Sequence, residues 1–275
     1  MAAWLLFLVA TGAASLPVFA QGSFRWSFPQ RIPNYDDHSR PPFMVADRAK
    51  TLHVFNTQPV EAQQDAIFYR RWSPDTGWTV PIDILLITQG MGGQIIQGVL
   101  LDQAGVFHLI YYDESTIRYS SALASIAEQA RSWTDPVVIG EGAGPLASAA
   151  FIKYENRMTV VYCGRREGIG LYEVHSTDSG KTWSDPTIIS LIFNSEQWPT
   201  GVRLIQDQLG NLHLTWTNVN TLLGLGEEIY YSRLETDHSQ WSNPILLARR
   251  DPGDYSAHWA SIIEYQGELY VVYQD

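Results

Sequence analysis

Ser176-Thr177-Asp178-Ser179-Gly180-Lys181-Thr182-Trp183, running into Ser184-Asp185-Pro186, decides the fold. Asp178 can accept hydrogen bonds from the amides of its own turn, and Gly180 supplies the positive φ that a tight reversal needs. Trp183 then opens the next strand and offers a large apolar face for packing. The stretch predicts a β-hairpin that ends in an anchor.

The anchor recurs. Trp26, Trp78, Trp133, Trp183 and Trp241 each begin the spelling Trp-(Ser/Thr)-x-Pro, and they lie 52, 55, 50 and 58 residues apart. That period is close to the roughly 40 to 50 residues of a propeller blade. A second series keeps the same phase: Thr51-Leu52-His53, Val106-Phe107-His108, Arg157-Met158-Thr159, Asn211-Leu212-His213 and Glu268-Leu269-Tyr270 all open short β-type runs. An irregular β-sandwich with scattered tryptophans would leave that shared phase to accident. The reading is all-β, a β-propeller of four-stranded antiparallel blades with about five blades visible.

The blades fall in chain order. Residues 40–45, 51–57 and 66–72 make the first, residues 98–102, 106–113 and 116–121 the second, residues 147–190 the third and residues 202–247 the fourth. A polar insertion is expected between Asn218 and Glu227, and a short helical turn within 124–130. The fifth blade begins at 260–265 and 269–273. Residues 24–32 read as an outer strand without its blade, suited to closing the ring from the other terminus. Five blades with one strand lacking is one solution; a fragment of a six-bladed ring, incomplete at the C-terminus, is the favoured one.

Ser-x-Asp-x-Gly-x-Thr-Trp at Ser176 to Trp183 is similar to the Asp-box, or BNR repeat, of the sialidase (neuraminidase) superfamily, and partial copies end at Trp78, Trp133 and Trp241. The resemblance implies a sialidase-like propeller over 21–275. It is specific for fold rather than activity, because the box lies on the blade rim away from the central pocket. Family sialidases hold a substrate carboxylate with an arginine triad, a task suited to the two parallel hydrogen bonds of a guanidinium. Arg31-Ile32-Pro33 has the family's letters, but Arg40-Pro41-Pro42 heads an inner strand, and Arg40 is preferred by position. Arg165 is the second candidate, and no third arginine falls in a matching place. The family's catalytic acid is an Asp after the first inner hairpin, which points to Asp65, or to Glu61 by type. Its nucleophile is a Tyr activated by a Glu, a departure from the usual carboxylate pair. Trp198-Pro199-Thr200-Gly201 stands where that Glu should head the fourth inner strand, and the tyrosine is expected beyond residue 275.

The starts of the inner strands should face the ring axis, which brings Arg40, Gln94, Gln97, Ser148, Trp198, His258 and Trp259 to the centre. Aromatic faces with amides form a sugar platform; Trp198 and Trp259 equally suit packing between blades. His53, His108 and His213 repeat in phase on different blades, so they read as structural rather than as metal ligands. No metal or other cofactor is expected.

The chain carries 18 Lys and Arg against 29 Asp and Glu, a formal charge of −11 spread without a block. Nucleic acid and anionic membrane surfaces are therefore poor partners. An apolar run from Trp4 to Ala10, followed by Val18-Phe19-Ala20, reads as an export signal over 1–20, although no Lys or Arg precedes it. Membrane association is expected only if that segment stays uncleaved. A secreted or extracytoplasmic protein of bacterial type fits, with Cys163, the one cysteine, as a buried free thiol. Two functions follow: a glycan-recognising propeller with exo-sialidase-type hydrolysis as its enzymatic form, or a non-catalytic extracellular module that binds carbohydrate or protein. A purely structural repeat of a larger surface protein is a third.

Overall fold

A computed structural model of the chain describes residues 40–61, 64–88, 94–142, 146, 148–236, 240–251, 253 and 256–274. The expected export segment, the strand at 24–32, Trp26 and Arg31 lie outside these residues.

Among the described residues, nineteen strands form five antiparallel sheets in chain order. The first holds β1 (Phe43–Ala46), β2 (Leu52–Glu61) and β3 (Gln64–Ser73), with β4 (Gly77–Trp78) and β5 (Ile82–Thr88) both pairing to β3. The second runs β6 (Ile96–Leu101), β7 (Val106–Asp113), β8 (Thr116–Leu123) and β9 (Val137–Glu141). The third is β10 (Ala149–Tyr154), β11 (Arg157–Gly164), β12 (Gly170–Ser176) and β13 (Thr187–Leu191). The fourth is β14 (Gln197–Gln206), β15 (Leu212–Asn220), β16 (Leu225–Leu234) and β17 (Ile245–Arg249), and the fifth pairs β18 (His258–Tyr265) with β19 (Glu268–Gln274). The first strands β1, β6, β10, β14 and β18 touch one another in that order. These are the blades of a β-propeller, as the repeat predicts.

Burial follows the radial position. The second strands β2, β7 and β11 are largely buried and β15 is buried along its whole length, whereas β19 of the fifth blade is mostly exposed. Outer strands such as β17 stay mostly exposed. The core is accordingly split into layers between neighbouring blades. Phe55 and Tyr69 of the first blade meet Phe107 and Trp133 of the second; Tyr119 of the second meets Met158 and Val174 of the third; Val161 and Cys163 of the third meet Leu214 and Trp216 of the fourth. Each such large side chain contributes about 1.5–3 kcal/mol on burial.

Three of the recurrent tryptophans take equivalent seats. Trp133 packs on Phe55, Trp183 on Tyr119, and Trp241 donates to the Glu173 carboxylate at 2.7 Å, so each of these clamps its blade to the one before it, whereas Trp78 lies against Arg70 of its own blade at 4.7 Å. The intact hairpin is built as its sequence demands. Asp178 Oδ1 accepts the amides of Lys181 (3.0 Å) and Thr182 (2.9 Å), and Thr182 Oγ1 donates to Oδ2 at 2.7 Å. The Thr182 hydroxyl and amide, then the Ser176 hydroxyl, hold the exposed Asp178 carboxyl down at about 2.

A second recurrent device sits at the first hairpin of three blades. Asp47, Asp102 and Asp207 each accept the backbone N–H four residues on (2.8–2.9 Å) and reach the Nε2 of His53, His108 and His213. The Nδ1 atoms meet the hydroxyls of Tyr69, Tyr119 and Tyr231 at 2.7–2.8 Å. The histidines are structural, as their phase predicts. Tyr119 also donates to Ser179 O at 3.4 Å, which links the second blade to the hairpin of the third.

Two local expectations change. Residues 218–227 are no insertion: β15 and β16 continue through them to a four-residue turn at 221–224. The helical region near 124–130 is two single 3₁₀ turns, Ala124–Ile126 and Ala130–Ser132.

Candidate functional site

The first strands do not hydrogen-bond to one another, and side chains tie neighbouring blades together instead. At the start of β10, Ala149 N donates to Gln97 Oε1 at 2.9 Å; in the bulge of β14, Val202 N donates to Ser148 Oγ at 3.0 Å; and on the third strand β16, Gly226 N donates to Ser256 Oγ at 2.8 Å. Gln97 and Ser148, expected on the axis, therefore also tie the hub together.

Inside these ties the first strands enclose an axial cavity of about 620 Å³, lined among others by Phe43, Gln94, Gln97, Ser148, Arg203 and Trp259. All five blades contribute. Arg203 is the one charged side chain among the described lining residues, so the cavity is locally cationic within an acidic protein. Sequence reasoning missed Arg203. The signal was there, as a lone charge in the otherwise apolar run Val202-Arg203-Leu204-Ile205.

Trp259 stands at this cavity 65% exposed, with its ring stacked on His258 (centroids 4.8 Å apart, 18° between planes). Its backbone has φ 59°, in the left-handed region. For a bulky residue that is a true outlier, costing of order 1–3 kcal/mol. The fourth blade explains the site. Both β14 and β18 carry a bulge at the same register, between Thr200 and Arg203 and between His258 and Ser261. The first bulge residue of β14 is Gly201, at φ 62°, the residue such a bulge favours. The fifth blade keeps the conformation and puts an indole on it. Burial of the half-buried His258 holds its imidazole below the ordinary range.

The six expected site residues resolve into three pairs. His258 and Trp259 form the one just described. Arg40 Nη2 lies 3.6 Å from Asp65 Oδ2, on the first blade. Arg165 holds its guanidinium over the Trp198 ring at 5.0 Å, joining the third blade to the fourth.

Two of these residues are buried. Asp65 sits inside β3 with 0% exposure, where its carboxylate is placed to orient Arg40, whose side chain is 27% exposed. Trp198 is 2% exposed, packed with Cys163, Leu171 and Trp216 beneath Arg165, and offers no face to a sugar. Arg40 precedes the first strand β1 and Arg165 follows the second strand β11, so both lie on the face where first strands start and second strands end, but on different blades.

A carboxylate also reaches the head of the fourth first strand by another route. Glu227, from β16, accepts Gln197 Nε2 at 2.8 Å and Asn220 Nδ2 at 3.3 Å, with Arg250 Nη2 at 4.0 Å. No group of His, Cys, Asp and Glu among the described residues is arranged to hold a metal ion.

The family model described as BNR repeat-like domain matches residues 14–208. The chain belongs to the BNR repeat-like domain family. Among solved structures, this BNR propeller is similar to a protein of unknown function from Dyadobacter fermentans DSM 18053, at 10% identity and TM-score 0.59, over 86% of this chain and 75% of that one. An ulvan lyase of a polysaccharide lyase family aligns at 12% identity and TM-score 0.55, over 86% of this chain and 63% of the lyase. The α-L-arabinofuranosidase of Podospora anserina, in complex with cellotriose, aligns at 16% identity and TM-score 0.50, over 86% and 80%. The BNR chain thus spans less than two thirds of the lyase's length. These likenesses show the fold. No curated protein matches the sequence.

Proposed function

We propose that this BNR propeller is a glycan-recognition protein whose ligand enters the axial cavity from the face carrying Trp259. The observation that carries the reading is Trp259 itself: a largely exposed indole kept at the cavity on a strained bulge that elsewhere takes glycine. Strain of this kind collects at binding sites because the surrounding structure maintains it. An indole face suits the C–H face of a sugar, and Gln94 and Thr200 offer hydrogen bonds at its edge. Arg203 adds attraction for an acidic sugar such as a uronic acid or a sialic acid, with Arg40 on the same face. The solved structures with this fold include an ulvan lyase and an arabinofuranosidase, both named for action on glycans. Recognition outside the cytoplasm fits the export segment read at 1–20, and N-terminal sequencing of the mature protein, starting near Gln21, checks that part.

Exo-sialidase-type hydrolysis is the second reading. Glu227, delivered to the head of the fourth first strand, favours it; the burial of Asp65 weighs against it. Calorimetric titration of the protein with ulvan, arabinan and a sialylated glycoprotein tests recognition. At least one should bind, and Trp259→Ala should weaken it tenfold or more; equal binding by the variant, or no binding of any glycan, refutes the proposal. A fluorogenic sialoside assay with Glu227→Gln as control decides the hydrolytic form.

A further inference from the structure

A second cavity, of about 220 Å³, opens between the outer edge of the third blade and the middle strands of the fourth. Its wall is set by register. Trp216 pairs with Tyr230, and Asn218 with Glu228, across β15 and β16, so all four project from one face of the blade. The Trp216 and Tyr230 rings stack at 5.5 Å with 18° between planes. Glu228 is fully engaged: Tyr230 donates its hydroxyl at 2.9 Å, and Arg249 donates through Nε (3.0 Å) and Nη2 (2.8 Å). That ion pair leaves the wall without net charge.

Two features of this cavity have no role in packing. Asn218 is 6% exposed and lines the cavity, yet its Oδ1 accepts no hydrogen bond. A buried acceptor without a donor is destabilising, so a donor arriving there is favoured. Phe193, on the rim, is 94% exposed, its ring committed to nothing on its outer side. Gln197, the first residue of β14, lines the same cavity and also holds Glu227, which puts this cavity at the face where the first strands start.

We propose that this cleft is a subsite for one neutral sugar ring, lying outward from the axial cavity, with a ring hydroxyl donating to Asn218 Oδ1 and Phe193 covering a C–H face. The volume is below the roughly 300–1,000 Å³ of pockets for drug-sized ligands, which fits a single ring. The neutral wall and a lone acceptor select a hydroxyl donor over an anion. The subsite rests on the glycan-recognition reading and extends it: the ligand is a chain whose neutral unit lies beyond the unit at Trp259.

The test is saturation-transfer NMR titration of the full chain with methyl β-D-xyloside, methyl α-L-arabinofuranoside and methyl α-L-rhamnoside. At least one should bind, with affinity reduced tenfold or more by Phe193→Ala and by Asn218→Leu, and unchanged by Trp259→Ala. Phe193→Ala alters an exposed side chain, so it keeps the test valid if Asn218→Leu fails to fold. No binding of any glycoside, binding unaffected by Phe193→Ala, or binding lost through Trp259→Ala alone overturns the subsite. Polysaccharide binding that depends on Trp259 while the glycosides do not bind removes the subsite and leaves the axial reading standing.

Discussion

Gly180→Ala probes how the hairpin of one blade grips the next. A Cβ on Gly180 would lie 2.4 Å from Tyr119 Cζ and from its hydroxyl oxygen, well inside contact distance. Tyr119 cannot easily retreat, because its hydroxyl is bonded to His108 at 2.7 Å and its ring packs edge-on against Trp183 at 5.2 Å. The backbone adds a second penalty, since Gly180 has φ 91°. Forcing an L-residue there costs about 1–2 kcal/mol, and overpacking a filled interface about 1–3 kcal/mol, for a central value of about 3.5 kcal/mol. In a domain of this size that lowers Tm by roughly 7–14 °C. The assay is thermal and urea unfolding of Gly180→Ala, alone and in a Tyr119→Ala background. Removing the ring should leave only the backbone part, about 1–2 kcal/mol, so the two sites should couple by at least about 1 kcal/mol. An equal cost in both backgrounds would refute the inter-blade clamp.

Trp259→Gly should move stability and binding in opposite directions: relieving the left-handed strain should raise stability by about 1 kcal/mol in urea unfolding, while glycan affinity falls tenfold or more. Asp65→Asn should lower stability by about 1–3 kcal/mol, less than a fully buried pair because Arg40 keeps some solvent contact; unchanged stability with lost turnover would return Asp65 to a catalytic role. His53 and His108 are held below the ordinary imidazole range by burial, against the pull of Asp47 and Asp102. The unfolded chain therefore takes up protons first, so stability is full above about pH 6.5 and falls as the pH drops toward 5. The Asp178 contribution is present above about pH 4 and is lost as pH falls toward about 2. A Tm that stays flat from pH 8 to pH 5 would contradict the histidine argument. Arg203→Ala should weaken an acidic polysaccharide more than a neutral one and flatten the salt dependence of binding.

The fold was legible because each blade repeats the same physical problem. Through the first four blades a buried second strand and an indole recur at one period, and both are visible as letters. The site was less legible for a geometric reason. Which residue lines the axis depends on bulges, and the bulge at Trp259 has no spelling of its own; only comparison with Gly201 in the blade before it shows the seat. Trp198 looked like a platform because it heads a first strand, yet it points into the layer between blades under Arg165. Asp65 looked like a loop acid, but β3 begins at Gln64, two residues sooner than the letters suggest, and includes it. Glu227 could not be seen at all from the head of the fourth first strand, since it arrives from a different strand. Arg203 was the readable exception.

Cys163 sits at 0% exposure in the layer between the third and fourth blades, where burial pushes its thiol pKa well up. Because it is the one sulfhydryl of the chain, it works as a built-in clock. A thiol reagent added to the native protein can react only when that layer parts, so the rate of modification reports how often the ring breathes there, without any label being engineered in.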